Sequence, residues 1–423
     1  EGLPFTISRG ITVVATFNDP VNIPLSEIEL PHDVNELQFM GDYDLPIAPG
    51  DIPDTITDIN MSENFDQRLL PGSIPSSVTS LWLGAAYSHS FEPGVIPHSV
   101  KDLWLGKHYQ VPLVPGALPS SLTMISTGGF NLPLLPGSLP SSVTYIWFGE
   151  FNQLITPGTL PASLIKLRFS YKYNQPIEQD VLPSTLRVLI FDEQFNRPLE
   201  PNVLPNSLTK LKLGYDFNQE LEIGALPKSM LYLYMGKCYN HVMGPGILPS
   251  SLETLILSQD YAHSLQSHSL PQSLTDLSLG DHVDIVYILP ASLTSLSYCF
   301  SSNKGSIPPE ALQHCRIQCI KLDHQHYYDN MDEMPNNSEF NGNLHTLILD
   351  NLPSTSVLRS KLKQYKDTGI PNLSITQHKQ ILVSVRRLDD QHLLAMDKKS
   401  RTFITTWDTI LENCVKMFGK VAK

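Results

Sequence analysis

A chain of 423 residues is longer than one hydrophobic core usually grows, so it holds several domains or one elongated repeat structure. Its 41% apolar content suffices for a core and argues against disorder, while 34 prolines argue against a helical protein. The net charge of −13, with no aromatic-rich basic stripe, argues against nucleic acid as a partner.

That charge is unevenly placed. Residues 1–68 hold thirteen acids against two bases, Arg9 and Arg68, whereas residues 359–423 hold thirteen bases against six acids. Ends of opposite sign offer a route to self-association. Five cysteines (Cys238, Cys299, Cys315, Cys319, Cys414) are too few and too scattered for a disulfide framework. His314 beside Cys315 and Cys319 lacks a second ligand pair at zinc spacing, and no metal or other cofactor is expected. No apolar run of about 18 residues exists, so no membrane span is expected. The first residue is Glu rather than Met, from which a removed or omitted N-terminal segment is expected.

In chain order, residues 1–30 read as an N-terminal cap with a strand over 11–15. Residues 31–300 carry the dominant pattern. A Leu-Pro or Ile-Pro pair recurs with its proline at 31, 53, 75, 97, 119, 140, 161, 183, 205, 227, 249, 271 and 290. The steps are 22 residues nine times, 21 twice and 19 once, the period of a leucine-rich-repeat solenoid. Each unit approximates LP-x-S-L-T-x-L-x-L-G-x-x-F/Y-N-x-P-L-x-P-G, as from Leu204 to Asn218. Three, six and eight residues after each anchor proline the chain is aliphatic, Met or aromatic, with Thr127 as the one exception. The last two of these positions lie two apart and share one face of a short strand, which Gly or Ser usually ends.

Eleven or twelve residues after the proline stands an aromatic: Tyr43, Phe65, Tyr87, Tyr109, Phe130, Phe151, Tyr173, Phe195, Phe217, Tyr239 and Tyr261. Stacked layer on layer these rings predict a buried spine. The residue after the ring is Asn in six successive units, from Asn131 to Asn240, and its side chain is expected to bond the backbone of the next turn. Pro-Gly pairs at 49, 71, 93, 115, 136, 157 and 245 exclude a helix on the outer limb, which should be extended. The fold class that follows is mostly β: a solenoid of about 22-residue repeats with short parallel strands and a Pro-rich extended outer limb.

The units Phe151-Asn152-Gln153, Tyr173-Asn174-Gln175-Pro176-Ile177, Phe195-Asn196-Arg197-Pro198-Leu199 and Phe217-Asn218-Gln219-Glu220-Leu221 resemble the FNIP repeat, and the flanking LP-x-SLT-x-L-x-LG block is similar too. The resemblance covers roughly residues 31–300, about 12–13 repeats. It implies a leucine-rich-repeat-like fold of the kind found in social amoebae and giant amoeba viruses, in a family mostly without assigned function. Several members carry an F-box or a kinase domain ahead of the repeats. Residues 1–30 are too short and too β-like for an F-box.

Residues 301–355 read as degenerate repeats, with strand blocks at 317–322 and 344–349 and a polar loop over 330–343. Residues 356–423 read as a small α+β C-terminal cap. Its elements are a short helix over 356–365, a β-hairpin of 379–388 with 392–407 around residues 389–391, and a terminal helix over 409–420.

No Gly-rich phosphate loop, HExxH or nucleophile elbow is present, and Asp323-His324-Gln325-His326 lacks the further ligands of a metal centre. An enzyme is not expected. Positions five and seven after each proline alternate with the core residues and point outward from the sheet. Trp82, Trp104, Tyr145, Trp147, Lys166, Arg168, Lys210, Lys212, Tyr232 and Tyr234 all fall there, and Trp and Tyr are the side chains enriched at binding hot spots. A protein partner on this face is the expected ligand. The alternative is a structural protein, a coat or filament component, self-associating through its acidic and basic ends.

Overall fold

The computed structural model describes residues 5–10, 12–17, 23–266, 268–280, 283, 289–298, 314–323, 345–350, 365, 370–377, 380–387, 392–397 and 402–406. The chain divides into two compact units, residues 1–217 and 218–423. Among the described residues the structure is mostly β with almost no helix, and one 3-10 turn lies at Leu25–Glu27.

The first unit opens with β1 (Thr6–Arg9) and β2 (Val13–Phe17), which pair antiparallel. From β2 onward every pairing is parallel. The strands are β3 (Glu36–Phe39), β4 (Asp58–Asn60), β5 (Ser80–Trp82), β6 (Asp102–Trp104) and β7 (Met124–Ser126), then β8 (Tyr145–Trp147), β9 (Lys166–Arg168), β10 (Val188–Ile190) and β11 (Lys210–Lys212). Each layer repeats the same turn one strand further on, so equivalent residues pair across the sheet, as Ile59 with Leu81 and Leu81 with Leu103.

The residue two past each strand explains its brevity. A Cβ on Gly84 or Gly106 would lie 1.7 Å from the Ser62 carbonyl oxygen or 1.9 Å from that of Gly84, so backbones of adjacent layers meet where only hydrogen fits. Where serine stands instead, its hydroxyl turns the approach into a bond, as from Ser62 Oγ to the Tyr43 carbonyl at 2.6 Å.

The core is built as the spacing predicts. From Val34 to Leu296 every residue three, six and eight places after an anchor proline is at most 7% exposed. Thr127 is fully buried among them, and its hydroxyl has no hydrogen-bond partner. The aromatic spine is buried throughout. Tyr87 stacks on Tyr109 with centroids 6.4 Å apart, Phe151 on Tyr173 at 6.3 Å and Phe195 on Phe217 at 6.1 Å. Between 148 and 195 a second aromatic column interleaves with the first: Phe169 lies 3.8 Å from Tyr173 and Phe191 lies 3.7 Å from Phe195.

Backbone polar groups outside the short strands find side chains in the adjacent layer, which such a core requires. The corner asparagines form the expected ladder. Backbone N–H groups of Asn152, Asn174 and Asn196 donate to Oδ1 of Asn131, Asn152 and Asn174 at 2.8, 2.9 and 3.0 Å. Asp44 and Asp66 play the same part for Asp66 and Ser88, both at 2.9 Å. A second ladder runs at the anchor, where hydroxyls of Ser121, Ser142, Ser163 and Ser207 donate to core-residue carbonyls one layer back at 2.6–2.9 Å. Among the described residues the outer limb carries no helix. Its Pro-Gly turns hold the glycine left-handed, Gly94 at φ 88°, and Asp180 (φ 63°) and Asn202 (φ 66°) take that conformation where glycine is missing.

The second unit continues the pattern with β12 (Tyr232–Tyr234), β13 (Thr254–Ile256), β14 (Asp276–Ser278), β15 (Ser295–Tyr298), β16 (Cys319–Asp323), β17 (Thr346–Asp350) and β18 (Asn372–Gln377) in parallel. Then β19 (Gln380–Arg387), β20 (His392–Asp397) and β21 (Thr402–Thr406) follow in antiparallel order. Where the sequence reads 392–407 as one hairpin arm, two strands pair with each other. The helix expected over 356–365 falls outside the described residues except for Tyr365. The helix over 409–420, the loop over 330–343 and residues 324–326 lie outside them entirely.

Candidate functional site

The strand alternation that buries Leu81, Leu103, Ile125, Ile146 and Leu167 turns their neighbours onto the opposite face. Because the pairing is parallel and in register, those neighbours form two straight rows. One reads Trp82, Trp104, Ser126, Trp147, Arg168 and the other Ser80, Asp102, Met124, Tyr145, Lys166.

Within the first row Trp82 stacks on Trp104, centroids 4.2 Å apart at 23°. The Arg168 guanidinium lies 4.8 Å from the centre of the Trp147 ring, and Lys166 Nζ sits 4.2 Å over Tyr145. Such cation–π contacts contribute about 0.5–1 kcal/mol each at exposed sites. This packing is why only Trp82 of the three tryptophans, at 44% exposure, is open to solvent, while Trp104 and Trp147 are half-buried.

The electrostatics grade along the face. Glu36, Asp58 and Asp102 lie toward the first strands, and Lys166 and Arg168 lie beyond the aromatics. Desolvation by burial pushes the Asp102 carboxyl up from its ordinary value, and Asp58 adds to this, while Lys101 and a hydrogen bond with Thr123 oppose it. Arg168 is clamped by Asp192, with Nε and Nη2 each 3.0–3.2 Å from its carboxylate oxygens. A fork of this kind largely neutralises the guanidinium.

Six of the ten residues singled out in the sequence therefore meet in one patch: Trp82, Trp104, Tyr145, Trp147, Lys166 and Arg168. Lys210 (exposed) and Lys212 (half-buried) are on the same face of the first unit, with the apolar pair Val188 and Ile190 of β10 between them and Arg168. Tyr232 and Tyr234 belong to the second unit, half-buried on β12. Sequence reasoning missed Asp192. Its signal was present, since it alone puts a charge two residues past a strand where other layers from 62 to 280 carry Gly or Ser. Cys315 is buried, and desolvation pushes its thiol up to about 11, which makes it inert.

The model of the FNIP Repeat matches residues 43–86, 65–108, 87–129, 109–150, 151–194, 195–238 and 239–282. Together these matches span 43–282, more than half of the chain. The chain belongs to the FNIP-repeat family. Among solved structures it is similar to CroV588, a circular leucine-rich-repeat protein of a giant virus, at 28% identity and a TM-score of 0.60. That match covers 85% of this chain, which spans 59% of the CroV588 chain. The leucine-rich-repeat domain of APL1 is 12% identical over 86% of this chain and 98% of its own, at a TM-score of 0.41. Toll, in a complex with Spatzle from Drosophila, is 13% identical over 90% of this chain and 63% of its own, at 0.38. Scores that low add nothing to the assignment. A comparison with curated proteins finds no match. The FNIP layers are a leucine-rich-repeat-like parallel solenoid, a fold typical of protein-interaction scaffolds.

Proposed function

We propose that the FNIP solenoid is a non-enzymatic scaffold that captures a partner protein on the outward sheet face of its first unit, centred on β5–β9. The observation that carries this reading is the in-register aromatic row of Trp82, Trp104 and Trp147 with Tyr145 beside it. The fold does not need these rings, because the core is complete on the other face of the same strands. Large aromatics on a solvated sheet face are the side chains that dominate protein interfaces. Strands stand about 4.8 Å apart, so the row from Trp82 to Trp147 covers about 15 Å, the size of one hot spot. With Lys166 and Lys210 beyond it, the partner presents carboxylates beside an apolar patch.

The experiment is affinity purification of the partner from the native source, followed by titration of that partner against a Trp82→Ser/Trp104→Ser protein. Losing the stacked pair costs about 1 kcal/mol of stability, because neither ring is part of the core. Binding should weaken by about 2 kcal/mol or more, roughly thirtyfold. A folded double mutant that binds the partner as tightly as the wild type overturns the reading.

A further inference from the structure

The aromatic row has one gap. Ser126 stands in register between Trp104 and Trp147, so the two indoles are two strands apart, about 9.6 Å at the usual spacing. The outer face of each ring is already covered, that of Trp104 by Trp82 and that of Trp147 by the Arg168 guanidinium. The two remaining faces front the gap. Ser126 is only 8% exposed although its side chain is short, which makes it the recessed floor of a notch between the half-buried rings. A flat group held between two rings needs about 7 Å, two contact distances of about 3.5 Å, so the notch admits one planar group and not two.

We infer that this notch receives an arginine side chain of the partner, its guanidinium stacked between Trp104 and Trp147 and paired with the Asp102 carboxylate. The inference rests on the sheet-face reading above and gives that partner a chemistry. Asp102 lies two residues before Trp104 on the same face, half-buried, with Met124 as its neighbour in the Ser126 layer. A phenyl or prolyl ring in the notch would desolvate that carboxylate and return nothing to it. A guanidinium offers flatness for the π faces and paired N–H donors for the carboxylate, whereas an ammonium offers charge alone. The cation already on Trp147 does not forbid a second one, because Asp192 grips Arg168 through both Nε and Nη2. Lys166 lies over Tyr145, which stands beside Trp147, and Lys101 is next to Asp102 in the chain. Neither has a ring contact with Trp104 or Trp147 among the described residues.

The test uses the full chain and a set of short Gly-Ser peptides with one central arginine, citrulline, lysine or phenylalanine. Binding at millimolar peptide is followed through indole N–H resonances. The arginine peptide should move the Trp104 and Trp147 signals and bind about tenfold tighter than its neutral citrulline isostere. Asp102→Asn should remove most of that preference, and Ser126→Trp, which fills the notch from its floor, should abolish binding with the fold intact by circular dichroism. Tighter binding of the phenylalanine peptide, arginine binding that survives Ser126→Trp, or indoles unmoved by any peptide overturns the inference. Failure here is distinguishable from failure of the face. If Ser126→Trp keeps the purified partner while Trp82→Ser/Trp104→Ser loses it, the notch is wrong and the face stands; if neither loses it, both are wrong.

Discussion

Truncating one corner asparagine tests whether the side-chain ladder holds the layers together. Asn174 donates its own N–H to Asn152 Oδ1 at 2.9 Å, and its side-chain oxygen accepts the Asn196 N–H at 3.0 Å. Alanine keeps the first bond and removes the second, leaving a part-buried N–H without its acceptor. That costs about 1–3 kcal/mol. With a urea slope of about 2 kcal/mol/M, the unfolding midpoint of the full chain should fall by about 0.5–1.5 M. Asn174→Asp is the control, because Asp44 and Asp66 already accept in the same position, so the carboxylate should restore most of the loss. Ser88→Ala should cost less, since the Ser88 N–H keeps Asp66 and only an exposed hydroxyl contact goes. An alanine variant with an unchanged midpoint, or an aspartate variant as weak as alanine, would refute the ladder.

Phe195→Ala deletes a ring packed 3.7 Å from Phe191, and it should cost about 3–5 kcal/mol; because layers contact only their neighbours, calorimetry should show the single transition broadened or split. Gly106→Ala should destabilise by about 1–3 kcal/mol or more, since its Cβ would collide with the Gly84 carbonyl, and a neutral result in denaturant would show that the layers can slide apart there. The hydroxyls of Tyr109 and Tyr173 are buried without partners, so Tyr173→Phe should be neutral or stabilising in the same melts. Burial raises both phenols above the ordinary value of 10.0. The stability this carries is complete below pH 10 and is lost as pH rises above it, because the unfolded chain releases its protons first. The tyrosinate signal of these two rings, isolated as the difference from a Tyr109→Phe/Tyr173→Phe chain, should therefore appear together with alkaline unfolding; their ionisation in a folded chain would contradict their burial.

The fold was legible because a solenoid writes its packing once per layer. Anchor proline, three core positions and a corner aromatic recur at fixed offsets, and from Val34 to Leu296 the core positions and the rings reappear as buried side chains. What the period does not carry was harder to read. The second aromatic column depends on Phe148, Phe169 and Phe191, which the pattern treats as interchangeable with Leu213 or Met235 because only volume and apolarity are demanded there. The donors that complete the corner, Gln153, Gln175 and Arg197 reaching the carbonyls of Asn131, Asn152 and Asn174, share length rather than chemical type, so no single letter marks them. In the last strands the repeat fades, and with it the basis for separating 392–397 from 402–406.

The candidate site was legible for the opposite reason. Outward positions five and seven after the proline have no duty in the ladders or the core, so whatever residue stands there is not dictated by the fold. Three tryptophans on four strands are then a departure from what layer stacking demands, and strand propensity alone is satisfied by the Thr254 and Val188 that stand at equivalent positions. Rows of side chains on such a face are set by register, which the 21- and 22-residue steps impose. What the sequence could not supply was the pairing between rows and turns. Asp192 reaches back 24 positions to hold Arg168, and that fork removes one cation from the face. Along the described strands Glu36, Asp58 and Asp102 precede the aromatic row and Lys166 follows it, so the proposed partner is expected to carry its cation toward Trp104 and its carboxylates toward Lys166.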